Sequence, residues 1–244
     1  MTWPQDYAHV ALVEVDSTNA EAARQSRTLD RPTWISADRQ TAARGRRGRA
    51  WANPEGNFAA TLALPSRDPP DRLALRSFVA SLALYEAFVV VTGRADLFAL
   101  KWPNDVLLNG GKVAGILLET LPQVGLAIGI GVNLATAPAQ GEVEDGALRP
   151  VSVFGETGIS IAATGFVPYL AQAYAAWEAR FVTEGFPPIR DAWLARAARL
   201  GEDIRAKTVT EVHHGIFETV DQSGALVLTT AKGRMAIPAA EVYF

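Results

Sequence analysis

The pattern of apolar and polar positions predicts a mixture of strands and helices along most of the chain. Short apolar runs bounded by turn residues are typical of β-strands. They occur at 9–15, 33–40, 57–64, 98–101, 106–108, 112–121 and 124–134. Because Asn109-Gly110-Gly111 separates two of these runs, that pair is predicted to form a β-hairpin.

Other segments have apolar residues at helical spacing. Helices are predicted at about 16–27, 72–91, 167–182 and 189–200. Thr18 and Glu21, three residues apart, predict a capping box at the first helix. The most apolar stretch, 78–91, contains Ser81 and Glu86 and is shorter than the roughly 18–20 residues that span a bilayer. A buried helix is therefore expected there, and no membrane partner.

The composition changes near residue 200, where short β-rich runs follow one another between turn residues. These runs lie at 204–209, 215–220, 225–229 and 234–237. Strands this short and closely spaced are typical of a small β-barrel. We therefore predict two domains, with a mixed β-sheet backed by helices in residues 1–200 and a small β-barrel in residues 201–244.

Composition excludes several classes of function. The 244 residues carry 23 Lys and Arg against 26 Asp and Glu, a formal charge of −3, which argues against a chain built as a whole to bind polyanions. Without cysteine, disulfides, cysteine zinc sites and thiol nucleophiles are excluded. The three histidines, His9, His213 and His214, leave little for a three-histidine metal site or a serine–histidine triad. Residues 1–10 show no targeting signal, so a cytoplasmic protein is expected.

One loop concentrates positive charge. No acid lies among its five arginines, which are Arg39, Arg44, Arg46, Arg47 and Arg49. The segment 44–49, called the basic loop below, would repel itself when empty, and anionic ligands would order it through bidentate contacts to phosphate or carboxylate. Trp51 follows directly, and its indole could stack on a nucleobase. A solvated basic turn and a nucleic-acid patch remain alternatives at this point.

Lysine is rare among the basic residues, which makes the position of two lysines informative. The four are Lys101, Lys112, Lys207 and Lys232. Lys101 and Lys112 flank Trp102-Pro103-Asn104-Asp105 and the predicted hairpin. A lysine is a compact point charge, suited to one reacting oxygen or phosphorus centre. Asn104 and Asp105 offer oxygen ligands suited to Mg²⁺. Chance placement at strand ends is the alternative.

Taken together, the motifs of the chain resemble the biotin–protein ligases (biotin–acetyl-CoA-carboxylase ligases). The resemblance is close over residues 9–135 and looser after them. The motifs occur in this order: Asp16-Ser17-Thr18-Asn19, Gln40, Arg44-Gly45-Arg46-Arg47-Gly48-Arg49-Ala50-Trp51, Lys101-Trp102-Pro103-Asn104-Asp105, Lys112-Val113-Ala114-Gly115-Ile116-Leu117 and Gly129-Ile130-Gly131-Val132-Asn133.

The resemblance implies an α/β (α+β) fold, with a mixed-sheet catalytic domain of the biotin/lipoate ligase type and a C-terminal SH3-like β-barrel. It also implies two half-reactions. The carboxylate of biotin attacks the α-phosphate of Mg-ATP, which gives biotinyl-5′-AMP and pyrophosphate. A lysine on a biotin carboxyl carrier protein then takes the biotinyl group, and AMP leaves. Biotin and ATP are thus the implied substrates, with Mg²⁺.

The family pattern also assigns roles to residues. It implies biotin contacts by Ser17, Thr18, Asn19, Gln40, Arg44, Gly45, Arg46, Lys112, Gly115, Gly129 and Gly131. It implies ATP or adenylate contacts by Arg49, Trp51, Asn104, Lys112 and Asn133. The implied catalytic residues are Lys112, Arg46 and Asp105, and the implied Mg²⁺ ligands are Asn104 and Asp105. Within these sets, Ser17, Thr18 and Gln40 would hydrogen-bond the ureido ring of biotin.

The sequence departs from the family pattern at two positions. Ala43 stands where a glycine is usual, at a cost of about 1 kcal/mol if the position needs positive φ. Ala240 stands in place of a glycine before Glu241-Val242. Neither change removes a charged catalytic group, so activity is expected. Because the first catalytic strand begins near His9, no N-terminal DNA-binding domain and no DNA partner are expected.

Two functions other than biotin ligation fit parts of the sequence. A lipoate or octanoate ligase would share the architecture, but the basic loop and Lys101–Asp105 resemble the biotin branch. A nucleic-acid-binding module using Arg44–Arg49 would rest on one basic loop in a net-acidic chain. An exposed strand edge of the catalytic sheet could pair with a second copy, giving a homodimer, or with the carrier domain, and the sequence leaves both open.

Overall fold

The computed structural model describes residues 2–121, 125–143 and 146–244, and its first part contains the predicted mixed sheet. The strands are β1 (Ala8–Val15), β2 (Thr33–Gln40), β3 (Phe58–Pro65), β4 (Phe98–Lys101), β5 (Asp105–Leu108), β6 (Gly111–Leu121) and β7 (Gly125–Val132). Their order across the sheet is β1-β2-β3-β7-β6-β5-β4. β1 and β2 are parallel and the other neighbours are antiparallel, so the predicted α/β class with a mixed sheet is confirmed.

Helices connect the strands and cover the sheet. They are α1 (Thr18–Gln25), α2 (Pro70–Ala74), α3 (Arg76–Thr92), α4 (Val153–Thr157), α5 (Ala163–Glu184) and α6 (Pro187–Leu194), with 3₁₀ turns at Arg46–Gly48, Ala95–Leu97 and Gln140–Glu142. α3 and α5 pack against each other, and α5 also contacts β2 and β3. The Phe58 ring on β3 lies 5.2 Å from the Phe166 ring on α5, edge to face. The core therefore lies between the sheet and this helical layer.

The segment Pro70–Thr92 is long and apolar enough to cross a membrane by length and composition alone. In the fold, however, its side chains Val79, Leu82 and Phe88 are fully buried, and the segment carries the buried guanidinium of Arg76. A helix that is apolar on most of its surface is expected when it sits inside a core. The predicted buried helix is therefore present.

The predicted hairpin forms between β5 and β6. Asn109 and Gly110 have φ values of 49° and 76°, as the favoured two-residue hairpin turn requires. The register places Asp105 opposite Lys101 on β4 and opposite Gly115 on β6, and Gly115 in turn opposite Gly131 on β7. Three sequence motifs thereby meet at one end of adjacent strands.

The C-terminal part forms a second, antiparallel sheet. Its strands are β8 (Asp203–Lys207), β9 (Val212–Val220), β10 (Leu226–Thr230), β11 (Gly233–Ile237) and β12 (Glu241–Tyr243), in the order β11-β10-β9-β8-β12. This arrangement fits the predicted SH3-like barrel. The indole Nε1 of Trp102 donates to the carbonyl oxygen of Gly224 at 3.0 Å, which joins the two sheets. The exact division at residue 200 stays a prediction.

Several local predictions differ from the structure. The capping box is wrong, because Thr18 is the first residue of α1 and its backbone N–H and hydroxyl both contact Gln40 Oε1, at 2.8 and 3.1 Å. The predicted helix 72–91 is divided into α2 and α3. α6 ends early because residues 196–198 bond to Leu100 on β4. The predicted start of β7 at Val124 lies outside the described residues.

A buried ion pair holds α3 against α5. The Arg76 side chain, 3% exposed, donates from Nε and Nη2 to Glu178 Oε1 at 3.0 and 2.8 Å. Asp68 accepts from the same guanidinium at 2.8 Å, and the Tyr174 hydroxyl donates to Glu178 Oε2 at 3.1 Å. Because both charges are withdrawn from water, removing one partner leaves the other uncompensated.

Changing Arg76→Met is expected to lower the free energy of unfolding by about 3–5 kcal/mol. The double variant Arg76→Met/Glu178→Leu is expected to lose less, because no buried charge is left unpaired. Urea denaturation followed by circular dichroism measures both. Equal losses in the single and double variants would contradict this account.

Candidate active site

A cavity of about 540 Å³ opens where the basic loop, the ends of the central strands and the C-terminal residues meet. Its size is within the roughly 300–1,000 Å³ of small-molecule sites. It brings together all the predicted site residues: Ser17, Thr18, Asn19, Gln40, Arg44, Gly45, Arg46, Arg49, Trp51, Asn104, Asp105, Lys112, Gly115, Gly129, Gly131 and Asn133. Their individual roles stay predictions.

One end of the cavity is polar and buried. Ser17 precedes α1 with extended backbone, φ −155°, so the first turn of the helix presents polar side chains at the cavity. Gln40, at the end of β2, accepts the Thr18 N–H with Oε1. That contact fixes the orientation of the Gln40 amide, since only its oxygen can accept. The end therefore offers hydroxyl groups and an amide close together.

Two polar residues beneath this end were missed by the sequence analysis. The Thr61 hydroxyl, fully buried on β3, lies 2.8 Å from Thr18 Oγ1 and 2.5 Å from Asn19 Oδ1. Asn19 Nδ2 donates to Glu119 Oε2 on β6 at 2.6 Å. A single threonine inside the apolar run 58–65 was the only sequence signal for Thr61. No sequence signal marked Glu119 except its position two residues after the motif Lys112–Leu117.

The opposite end of the cavity holds a buried carboxylate between two ammonium groups. Asp105 Oδ1 lies 2.7 Å from Lys112 Nζ, and Asp105 Oδ2 lies 3.6 Å from Lys101 Nζ. Burial alone would raise the pKa of the Asp105 carboxyl, but Lys112 and Lys101 hold it below its ordinary value. Burial lowers the pKa of Lys101, and Asp105 partly offsets that effect. Asp105 is thus a carboxylate at neutral pH.

Asn104 belongs to the same end but is held by protein partners. Its Nδ2 donates to the Ile116 carbonyl at 2.7 Å, and its Oδ1 accepts from Arg46 Nη1 at 3.2 Å. Since Asp105 also faces two ammonium groups, the pair does not fit a protein-held Mg²⁺ in this arrangement. Among the described residues no cluster of three or more His, Cys, Asp or Glu could hold a metal ion. Magnesium ligation by Asn104 and Asp105 stays a prediction.

The glycines of the motifs make room for side chains. A Cβ at Gly131 would overlap the Trp51 indole, and one at Gly115 would lie 3.1 Å from its Cζ3. A Cβ at Gly129 would overlap the Asn19 amide. Lys112 Nζ lies 5.6 Å from the centre of the Trp51 ring. The glycines line the cavity as predicted, and their missing side chains seat the indole and the amide.

The basic loop is closed on itself, and Ala43, which directly precedes it, adds no strain from a positive φ. Gly45 N–H donates to the Arg49 carbonyl at 2.7 Å, and Trp51 N–H donates to the Ala43 carbonyl at 3.0 Å. Among the described non-glycine residues, positive φ occurs in this loop at Arg47, φ 59°, and not at Ala43. The conformational free-energy cost of about 1 kcal/mol that was expected if Ala43 needed a positive φ therefore does not arise.

Glu241 on β12 supplies the anion opposite this loop. Its Oε1 lies 2.5 Å from Arg49 Nη2 and 3.4 Å from Arg47 Nη1, and the Tyr243 hydroxyl donates to Oε2 at 2.9 Å. Burial would raise the pKa of Glu241, but Tyr243 and the two arginines keep it below its ordinary value. The C-terminal strand, in which we assigned no catalytic residue, thus forms one wall of the cavity.

We expect Glu241→Gln to expose the basic loop to trypsin in the ligand-free protein. The variant loses up to about 1 kcal/mol of ion pairing at partly exposed groups, which shifts the equilibrium between the closed and the open loop roughly two- to fivefold toward the open form. The rate of cleavage after the loop arginines should rise by about the same factor. The fragments are identified by mass spectrometry. Glu218→Gln is the matched control, because Glu218 is an exposed glutamate on β9 that pairs with Arg234. Equal cleavage of both variants would argue against the role given to Glu241.

Two family models match the chain. Residues 10–134 match the Biotin/lipoate A/B protein ligase family, and residues 200–244 match the Biotin protein ligase C terminal domain.

Individual proteins are similar over nearly the whole chain. The biotin--[acetyl-CoA-carboxylase] ligase of Paracoccus denitrificans is 56% identical over 96% of this chain and 99% of its own length. The bifunctional ligase/repressor BirA of Bacillus subtilis is 30% identical over 96% of this chain and 73% of its own. The structure of a biotin protein ligase from Aquifex aeolicus in complex with biotin and ATP superposes with a TM-score of 0.82, at 26% identity, covering 96% of this chain and 97% of that one.

Proposed function

The chain belongs to the Biotin/lipoate A/B protein ligase family, and from this premise we propose that it joins biotin to a lysine of a biotin carboxyl carrier protein at the expense of ATP. The single observation that carries this proposal is the cavity, which is lined by a buried polar end, an ammonium–carboxylate cluster and the arginines of the basic loop. The relative that is 56% identical carries the same activity in its name.

The polar end favours biotin over lipoate or octanoate. The ureido ring of biotin has a carbonyl acceptor and two N–H donors, which the hydroxyl of Thr18 and the amide of Gln40 can pair with. A dithiolane or an alkyl chain would leave those buried groups without partners. Sites built to hydrogen-bond a substrate reject analogues that lack the bonding groups strongly, because each unpaired buried group costs about 1–3 kcal/mol.

In the first half-reaction, a carboxylate oxygen of biotin bonds to the α-phosphorus of ATP and the bond to pyrophosphate breaks. Both reactants are anions, so the step needs positive charge where they meet. Lys112 supplies it, held in place by Asp105, and Arg46 adds a second cation from the loop. Magnesium enters as the complex with ATP.

In the second half-reaction, the amine of the carrier lysine attacks the biotinyl carbonyl and AMP leaves. Asp105 stays ionised at neutral pH and can accept a hydrogen bond from the incoming lysine ammonium group. The ammonium group gives up one proton to solvent before it attacks as the amine, and the second proton leaves with the AMP phosphate as the amide forms. Until then the mixed anhydride must be kept from water, and the basic loop and Glu241–Phe244, which line the cavity, are the segments placed to do so. A homodimer, a cytoplasmic location and the magnesium requirement stay predictions.

The proposal is tested by the intact mass of an apo carrier protein incubated with this protein, Mg-ATP and biotin, lipoate or octanoate. A biotinyl adduct that needs both biotin and ATP is expected. An adduct that forms with lipoate or octanoate but not with biotin would show that the protein is a lipoate or octanoate ligase instead. Salt-sensitive DNA or RNA binding without pyrophosphate release would favour the nucleic-acid module instead.

We expect Lys112→Ala to slow adenylate formation by about 10²- to 10³-fold, the usual effect of removing one preorganised stabiliser of developing charge. Pyrophosphate release with biotin and ATP alone measures this step without the carrier. Lys232→Ala, at an exposed lysine in the β10–β11 turn, is the matched control. Equal rates in the two variants would remove Lys112 from the reacting centre.

Arg46→Gly is expected to let biotinyl-5′-AMP escape roughly ten- to a hundredfold faster, because one charge-assisted hydrogen bond to the anion is lost. The adenylate that remains bound after rapid gel filtration is the measured quantity. Arg67→Gly, in an exposed loop away from the cavity, serves as control. If both variants retain the adenylate as the unmodified protein does, the loop does not clamp it.

A further inference from the structure

A line of hydrogen-bonding groups runs beneath the polar end of the cavity, from Gln40 through Thr18, Thr61 and Asn19 to Glu119. We propose that Glu119 and Thr61 are positioning residues, which fix the direction of the hydrogen bonds that this end offers to the ligand and so set its preference for a urea. The inference rests on the proposed biotin substrate and adds residues that need not touch it.

The direction follows from counting protons, starting at Glu119. A carboxylate only accepts, so the Asn19 amide must turn its nitrogen to Glu119 and its oxygen to Thr61. The overlap that any Cβ at Gly129 would cause shows how closely the strand confines this amide. Thr61 has one hydroxyl proton, and its contact of 2.5 Å with the Asn19 oxygen takes it.

The Thr18 hydroxyl proton is then also used inside the line. Thr18 Oγ1 lies 2.8 Å from the Thr61 hydroxyl oxygen and 3.1 Å from Gln40 Oε1. Because the Thr61 proton is taken, the single Thr18 proton goes to one of these two oxygens. The Thr18 hydroxyl can therefore only accept from the cavity.

Gln40 completes the set. Its oxygen is held by the Thr18 N–H at 2.8 Å, so its amide nitrogen is the group left to donate. Thr18 and Gln40 thus offer the ligand one acceptor and one donor. A cyclic urea has the opposite pair, an N–H to give and a carbonyl to accept with. All three inner members of the line are almost fully buried. A reversed direction would therefore leave the Asn19 and Thr61 oxygens facing each other with no proton between them and no water to supply one.

Glu119 also faces the basic loop, since Arg44 Nη2 lies 3.6 Å from its Oε1. The Glu119 carboxylate therefore contacts Asn19, beneath the polar end, with one oxygen and Arg44 of the basic loop with the other. Any test must separate these two contacts.

The test compares the dissociation constants of biotin and of its cyclic carbamate analogue, in which a ring oxygen replaces one N–H, by titration calorimetry. In the unmodified protein the analogue sets an oxygen against the Thr18 acceptor and should bind at least about a hundredfold more weakly. In Glu119→Gln and in Thr61→Val the Thr18 proton is free to turn, and we expect this ratio to shrink at least tenfold. Thr61→Ser, which keeps the hydroxyl, should restore it.

Arg44→Gln separates the two contacts of Glu119. It should weaken both ligands alike and leave the ratio unchanged, because the Asn19 contact remains. Melting curves show whether each variant is folded, and Thr61→Val tests the line if Glu119→Gln is not. An unchanged ratio in folded Glu119→Gln and Thr61→Val would overturn the inference while biotin attachment by the unmodified protein continues. Failure of that attachment would instead overturn the proposed function.

Discussion

The carboxylate of Asp105 holds the reacting end of the cavity together, because it lies between two ammonium groups that would otherwise repel each other. The same arrangement recurs around the cavity. Arg49 faces Glu241, and Arg44 faces Glu119. A site for two anionic substrates needs positive charge, and that charge would repel itself when the substrates are absent. Here the repulsion is offset because each group of positive side chains faces a carboxylate of the protein itself. Those carboxylates come from β5, β6 and β12, so the whole fold is needed to assemble them.

The strands and the hairpin could be predicted because their signals are local. Short apolar runs mark strands such as β3, and Asn109-Gly110 marks the turn. The residues lining the cavity could be named because they lie in recognisable motifs. The residues that support them could not, since Thr61 is about forty positions from Thr18, and Glu241 is almost two hundred from Arg49. The basic loop was expected to repel itself for the same reason, because its counter-charges are distant in sequence.

The wrong capping box has a related cause. Thr18 and Glu21 have the right spacing, but Gln40 from the neighbouring strand takes both the N–H and the hydroxyl contact of Thr18. The tertiary contact with Gln40 thus replaces the local capping interaction, at the place where a ligand is expected to bind. β12 was missed because three residues are too short for an alternation to show, yet its residues line the cavity.

The ion pairs of Glu241 have a consequence for how the protein responds to salt. In the predicted contact of a triphosphate with Arg49, the nucleotide would not meet a bare guanidinium but would replace the carboxylate of Glu241 that is already there. The gain is the difference between two ionic contacts, and dissolved ions weaken both. Nucleotide affinity should therefore fall less steeply with ionic strength than the number of arginines in the loop suggests. A chain that is acidic overall, and locally basic only where it is internally neutralised, can select an anion by shape and bonding geometry rather than by bulk attraction.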